Sequence, residues 1–137
     1  MPVVILVADG ARPDTLTAAL DAGLLPAMAR LRAEGGLYEV TSAFPSVTGP
    51  AYAPFIMGRF PGPVGLPGLR WFDRARTRRT FPDRTRSYVG AEMRHVDGDL
   101  DPEAPTLFEL VTRAGAGSSV AALNVIGRGL GEPDAVL

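Results

Sequence analysis

The sequence predicts an α/β fold in which strands and helices alternate along the chain. Residues 3–7 form a continuous apolar run rich in β-branched side chains, typical of a strand buried on both faces of a parallel sheet. Residues 37–43 show the alternation of a second strand, and residues 119–126 form a further apolar strand candidate. Helical patterns lie between them, so the chain is organised as βα units.

The helix signals are local start and stop residues. Proline favours the first position of a helix, where its missing N–H would have no partner, and glycine favours the end. The predicted helices run from Asp14 or Thr15 through Leu20, ending at Gly23; from Pro26 to Gly35 and Gly36; from Pro50 to Met57, stopping at Gly58; and from Thr106 through Val111, closing at Ala114 and Gly115.

Composition indicates one folded domain and excludes several classes of protein. The 137 residues are 46% hydrophobic and 21% charged, with a net charge of −1. With no cysteine, the chain has neither a disulfide framework nor a thiolate metal site. No apolar run reaches the ~20 residues of a membrane span. Met1 leads directly into the first strand candidate without a signal peptide, which predicts a cytoplasmic protein if Met1 is the native start.

Two residues are candidates for chemistry. Asp9 follows the strand candidate at residues 3–7, and open α/β sheets bind ligands at the carboxyl ends of their strands. Thr48 stands just before the helix that Pro50 begins, where unpaired N–H groups favour an alkoxide and attract phosphate. Each has a structural alternative, because Asp9 can cap the following turn and Thr48 or Gly49 can cap the helix.

Four segments in this order resemble the nucleotide pyrophosphatase/phosphodiesterase branch of the alkaline phosphatase superfamily. That branch has a strand ending in Asp-Gly-x-Arg-x-Asp, a helix with Pro-x-Leu, then Pro-Thr-x-Thr-x-Pro, then a Gly-x-Tyr/Phe-Pro turn. The matching segments are residues 4–14, 25–31, 44–50 and 57–61. The resemblance covers residues 3 to about 65 well and residues 104–129 more weakly.

The resemblance implies a doubly wound α/β sheet of the alkaline phosphatase type and a metal-dependent phosphoric-ester hydrolase. Asp9 matches a metal-binding aspartate, and Thr48 matches the threonine that is both nucleophile and metal ligand. The implied cofactors are two divalent metal ions, expected to be zinc, and a bound cation activates a hydroxyl for attack on phosphorus. The implied substrate is a small phosphorylated molecule such as a nucleotide or a phosphodiester.

One departure leaves the substrate class open. The branch carries Asn-His where this chain has Ala51 and Tyr52, and the Asn amide donates to a phosphoryl oxygen. Stabilisation of that oxygen must come from backbone N–H groups near Thr48 and Gly49, from an arginine, or from residues outside this chain. A phosphomonoesterase or sulfatase-like hydrolase of the same superfamily is therefore an alternative.

The metal ligands are incomplete within these residues. The single histidine, His95, lies in the polar stretch at residues 94–99, and a solvated loop histidine is favoured there over a metal ligand. The remaining ligands are expected to lie outside the chain. Residues 1–137 are then the N-terminal portion of one catalytic domain, inactive on their own.

Residues 58–104 are rich in glycine, proline and arginine and are predicted to be an insertion. Arginines crowd residues 70–86 among Trp71, Phe72 and Phe81, a pattern that can bind phosphates and stack bases. A non-catalytic binding module using this loop is the alternative from another class. The net charge is not basic, which favours a solvated or partner-facing loop over a nucleic-acid site.

Overall fold

The computed structural model describes residues 2–74, 85–122, 126–131 and 135–136. The chain divides into two compact units, Met1–Thr41 and Ser42–Leu137. No helix in these described stretches is long and apolar enough to cross a membrane.

The first unit contains two helices, as predicted. Helix α1 spans Pro13–Asp21 and helix α2 spans Pro26–Gly35, each with proline in its first turn. The N-cap of α1 is Arg12, so the predicted start at Asp14 or Thr15 is wrong by two to three residues. An ion pair of 3.0 Å between the Arg32 Nη1 and Asp21 Oδ1 atoms links the two helices.

The strands predicted in this unit are wrong. Residues 3–7 and 37–43, all of them described, form no strand. The first run is not buried either, since Val4 is 85% exposed and Leu6 is 88% exposed. A strand needs a hydrogen-bonding neighbour and a covered face, and the described residues of this unit include neither for residues 3–7. The mixed helices and small sheets agree with an α/β fold, while the doubly wound sheet stays a prediction.

The second unit is built from short elements. Strands β1 (Arg70–Phe72) and β2 (Thr85–Ser87) pair antiparallel, with Trp71 opposite Arg86. Strands β3 (Ala121–Ala122) and β4 (Ala135–Val136) pair in parallel, with Ala121 opposite Ala135. Its elements are a 3₁₀ helix at Pro50–Tyr52, α3 at Ala53–Met57, a 3₁₀ helix at Gly62–Val64, β1 at Arg70–Phe72, β2 at Thr85–Ser87, a 3₁₀ helix at Gly90–His95, α4 at Val96–Asp99, α5 at Leu107–Arg113, β3 at Ala121–Ala122 and β4 at Ala135–Val136.

The buried core of the second unit comes largely from residues 58–104. This segment was predicted to be an insertion, with a solvated or partner-facing loop in its arginine-rich stretch. The described part of the segment supplies core side chains between its turns. The sequence did not indicate these core residues, because glycine and proline divide the segment into elements too short to show a hydrophobic period. The core residues are Ala53, Met57, Val64, Leu66, Tyr88, Val96, Leu100, Ala104 and Ile126. Whether the segment is an insertion relative to other proteins stays a prediction.

A network of hydrogen bonds anchors the start of α5. Thr106 and Glu109 form a capping box, in which the Thr106 hydroxyl accepts from the Glu109 N–H and the Glu109 carboxylate accepts from the Thr106 N–H. The Thr106 hydroxyl also donates to the Arg128 carbonyl at 2.6 Å. The Arg128 guanidinium in turn donates to Glu109 and to the Asp101 and Ala104 carbonyls. Arg128 thereby connects the segment after α4 to the segment after β3.

Candidate active site

Asp9 lies in a tight turn in the first unit. The Ala11 N–H donates to the Ala8 carbonyl at 3.3 Å, which places Asp9 and Gly10 at the two central positions. Gly10 has a φ of 75°, the conformation that the third residue of a type II turn requires and that glycine adopts without strain. Asp9 is exposed. The predicted turn is confirmed, although no strand precedes it.

Arg12 and Asp14, the other charged residues of the same motif, pair with each other. The Arg12 guanidinium donates to the two Asp14 oxygens at 3.1 and 2.7 Å. This pairing, together with a hydrogen bond from the Thr15 N–H, holds the pKa of Asp14 below its ordinary value of 3.8. The pair is fully solvent-exposed, so it orients the start of α1 more than it stabilises the fold.

Thr48 lies in a turn just before the 3₁₀ helix at Pro50–Tyr52. The Ala51 N–H donates to the Val47 carbonyl at 3.1 Å, and the Tyr52 N–H donates to the Gly49 carbonyl at 2.9 Å. Gly49 is the N-cap residue of this helix, so Thr48 stands one position before the cap, and its side chain is exposed. The predicted start at Pro50 and stop at Gly58 are confirmed.

The aromatic ring of Tyr88 covers Gly49. A Cβ atom on Gly49 would lie 2.4 Å from Cδ1 and 2.6 Å from Cε1 of that ring. Tyr88 is only 3% exposed, and its hydroxyl has no hydrogen-bond partner among the described residues. Burial raises the pKa of Tyr88 well above its ordinary value, with Tyr52 and Asp97 adding to the rise, so its hydroxyl stays protonated. Nothing in the sequence pointed to this contact, because it joins two distant segments.

The structure places Gly49, the residue after Thr48, against the ring of Tyr88, while Asp9 belongs to the other unit. A carboxylate and a hydroxyl are oxygen donors that suit a divalent cation, but they supply two of the four ligands that zinc usually takes. Among the described residues no group of three or more His, Cys, Asp and Glu side chains is placed to hold a metal. Sharing of one ion by Asp9 and Thr48 therefore stays a prediction.

The acidic residues near His95 have structural roles. His95 ends a 3₁₀ helix, not a loop, and its Nε2 accepts from the Arg94 Nε at 3.2 Å. Both oxygens of Asp97 accept from the Gly127 N–H, and burial raises the pKa of Asp97. Asp99 pairs with the Arg86 guanidinium at 2.9 Å. The expectation that His95 is not a metal ligand stays a prediction.

The arginine-rich stretch is described only in part. Arg86 is largely buried and pairs with Asp73 and Asp99, so two carboxylates of the same protein neutralise its positive charge. Residues 75–84, which include Phe81 and several of the arginines, lie outside the described residues. The described part of this stretch therefore has a structural role, and a phosphate-binding loop stays a prediction.

Comparison with known families decides the class of protein. The family model for type I phosphodiesterase / nucleotide pyrophosphatase matches residues 3–134. The chain belongs to this family. The family resemblance predicted from the sequence is confirmed, and the match runs through residues 58–104 as well. No curated protein and no solved structure matches the chain. Membership in the type I phosphodiesterase / nucleotide pyrophosphatase family supports a phosphoester hydrolase in general.

Proposed function

We propose that the protein is a metal-dependent phosphoric-ester hydrolase in which Thr48 is the nucleophile, acting on phosphodiesters or nucleotide pyrophosphates. The observation that carries the proposal is the placement of Thr48. Its side chain is exposed on a turn closed by two backbone hydrogen bonds, and Gly49 occupies the helix cap. A substrate can approach a solvent-exposed residue on such a turn. Family membership supplies the reaction class.

The reaction proceeds in two displacements. The Thr48 oxygen bonds to phosphorus while the bond from phosphorus to the leaving oxygen breaks, which leaves the phosphoryl group, with its remaining substituent, on Thr48. Water then attacks the same phosphorus and releases Thr48. The backbone N–H of Gly49 is the candidate donor to the phosphoryl oxygen, in place of the amide that Ala51 lacks. Asp9 and Thr48 would hold one of two divalent ions, expected to be zinc, which would favour the deprotonated hydroxyl.

The Thr48 proposal is tested by a series of substitutions. Thr48→Ala is expected to abolish turnover, because no oxygen remains to attack phosphorus. Thr48→Ser is expected to keep substantial activity, since only a methyl group is removed. Turnover of an aryl phosphodiester is measured in the full-length protein, with thermal unfolding as the control for folding. Acid-quenched wild-type protein is expected to carry the phosphoryl group, with its remaining ester substituent, on Thr48, and full activity in Thr48→Ala would contradict the proposal.

We also propose that these residues are the N-terminal portion of one catalytic domain with a doubly wound sheet of the alkaline phosphatase type. This proposal has two supports. The described residues include too few candidate metal ligands for a complete site. The apolar side chains of residues 3–7 are also exposed, and folded proteins rarely leave such a run uncovered. The missing metal ligands then lie outside residues 1–137.

The 137-residue chain alone is accordingly expected to bind zinc weakly and to hydrolyse nothing. Two protein ligands do not close a site that usually takes four. The measurement is p-nitrophenol release from an aryl phosphodiester, with and without added zinc, alongside zinc binding by equilibrium dialysis. Metal-dependent release by this chain would contradict the proposal that its site is incomplete.

The alternative within the superfamily rests on Ala51. Without an amide donor at this position, a phosphomonoesterase or a sulfatase-like hydrolase is the second candidate. Comparing kcat/KM for aryl phosphodiester, aryl phosphate and aryl sulfate separates the three. The highest value on aryl phosphate or on aryl sulfate would replace the diesterase assignment.

A further inference from the structure

Gly49 has two constraints that act together. Its φ is 97° and its ψ is −82°, a backbone conformation that side-chain-bearing residues rarely adopt. The Tyr88 ring also fills the space where a Cβ atom would lie. The conformation of Gly49 sets the direction in which the chain leaves Thr48, so a contact that restricts Gly49 also restricts the Thr48 side chain.

Tyr88 is itself held firmly in place. Its N–H donates to the Leu69 carbonyl at 2.8 Å, which continues the pairing of β1 with β2. On its other side, the Ser87 hydroxyl donates to the Val89 carbonyl at 2.7 Å and accepts from the Val89 N–H at 3.1 Å. The ring belongs to the buried core of the second unit. Because the backbone on both sides of Tyr88 is hydrogen-bonded and its ring is packed in the core, the ring is a rigid support.

We propose that Tyr88 is a positioning residue, whose ring holds Gly49 in its conformation and thereby aims the Thr48 hydroxyl at phosphorus. This inference rests on the proposed role of Thr48. Displacing a reacting group by about 1 Å can cost about a hundredfold in rate. The ring carries this role and the hydroxyl does not, because the Tyr88 hydroxyl has no hydrogen-bond partner among the described residues.

The first test follows the turn directly by hydrogen exchange measured by NMR. The amides of Ala51 and Tyr52 report on the turn, because their hydrogen bonds close it. The amides of Leu110 in α5 and of Ala114 at its C-cap report on the stability of the same unit. Tyr88→Leu is expected to speed exchange at the two turn amides at least tenfold more than at the α5 amides. Tyr88→Phe is expected to leave the exchange rates at all four amides close to those of the wild type.

The matched control is Val96→Ala, which removes bulk from the same core. It is expected to speed exchange at all four amides to a similar degree. Equal acceleration at the turn and α5 amides in Tyr88→Leu would overturn the inference, because it would show only a loss of stability. Tyr88→Met, with an apolar side chain and no ring, gives the same comparison if Tyr88→Leu does not fold.

The second test measures turnover in the full-length protein. Tyr88→Leu is expected to lower kcat per folded molecule about a hundredfold with a small change in KM, and Tyr88→Phe is expected to restore kcat. Val96→Ala is expected to keep the wild-type kcat per folded molecule. An unchanged kcat in Tyr88→Leu, in a protein that still forms the covalent intermediate on Thr48, would overturn the positioning role of Tyr88 and leave the proposed function standing. Full activity in Thr48→Ala would instead overturn the proposed function, and the exchange experiment would still report on the turn.

Discussion

The pKa of the Glu109 carboxylate is set by its contacts. Burial pushes the pKa of Glu109 upwards, but hydrogen bonds from the Thr106 N–H and the charge of Arg128 outweigh this effect and hold it below 4.5. The Glu109 oxygen lies 2.7 Å from the Thr106 N–H and 3.1 Å from the Arg128 Nε. A lowered pKa stabilises the fold above the ordinary value, and this contribution is lost as the pH falls through the folded-state pKa.

The pH dependence of stability should therefore change in Glu109→Gln. The free energy of unfolding is expected to drop at about pH 7, and the difference from wild type should shrink as the pH falls through the folded-state pKa and Glu109 is protonated. Urea titrations at a series of pH values from neutral to acid measure this. Glu103→Gln, the same change at an exposed position, is the control. Asp97 acts in the opposite sense, since its raised pKa lowers the stability of the fold as the pH rises above 3.8. Each variant is therefore compared with the wild type at the same pH. A difference that does not shrink in acid would contradict the role of the charge.

At the scale of elements, most helix predictions that depend on neighbouring residues were confirmed, although the start of α1 was misplaced by two to three residues. The helices beginning at Pro26 and Pro50 start and end where local proline and glycine signals indicate. The strands at residues 3–7 and 37–43 were wrong, because a strand depends on partners that the local sequence does not specify. The start of α5 was also readable, since Thr106 and Glu109 have the spacing of a capping box.

Thr106 is expected to be the most sensitive position of α5. It is fully buried, and its hydroxyl serves both the helix N-terminus and the Arg128 carbonyl. Thr106→Ala removes the cap and leaves that carbonyl without its donor, which should lower the free energy of unfolding by about 2 kcal/mol or more. Urea denaturation measures the loss. Thr106→Ser keeps the hydroxyl and should lose only about 1 kcal/mol for the missing methyl group, so equal losses in both variants would show that the hydroxyl bonds contribute little.

At the scale of the whole molecule, the sequence nominated Asp9 and Thr48 as candidate site residues but did not indicate the contact between Gly49 and Tyr88. Asp9 and Thr48 stand out because recognisable motifs surround them, and family membership agrees with those motifs. Tyr88 has no such motif, and its contact with Gly49 joins two segments that are distant in the sequence. A local motif can nominate a candidate catalytic residue, whereas a contact between distant segments depends on how the chain packs.

Asp9 and Thr48 are proposed to hold one metal ion, as the family motifs around them imply, and thiols placed at both positions test this proposal. The chain has no cysteine, so Asp9→Cys combined with Thr48→Cys introduces the only two thiols of residues 1–137. Thiolates bind soft metals, and metal–sulfur bonds of about 2.3 Å require both residues to be close. The double variant is expected to bind one cadmium ion per chain, seen by thiolate absorbance, far more tightly than either single variant. Binding that depends on protein concentration would indicate bridging between molecules. Equal affinities in the single and double variants would show that the two residues do not share an ion.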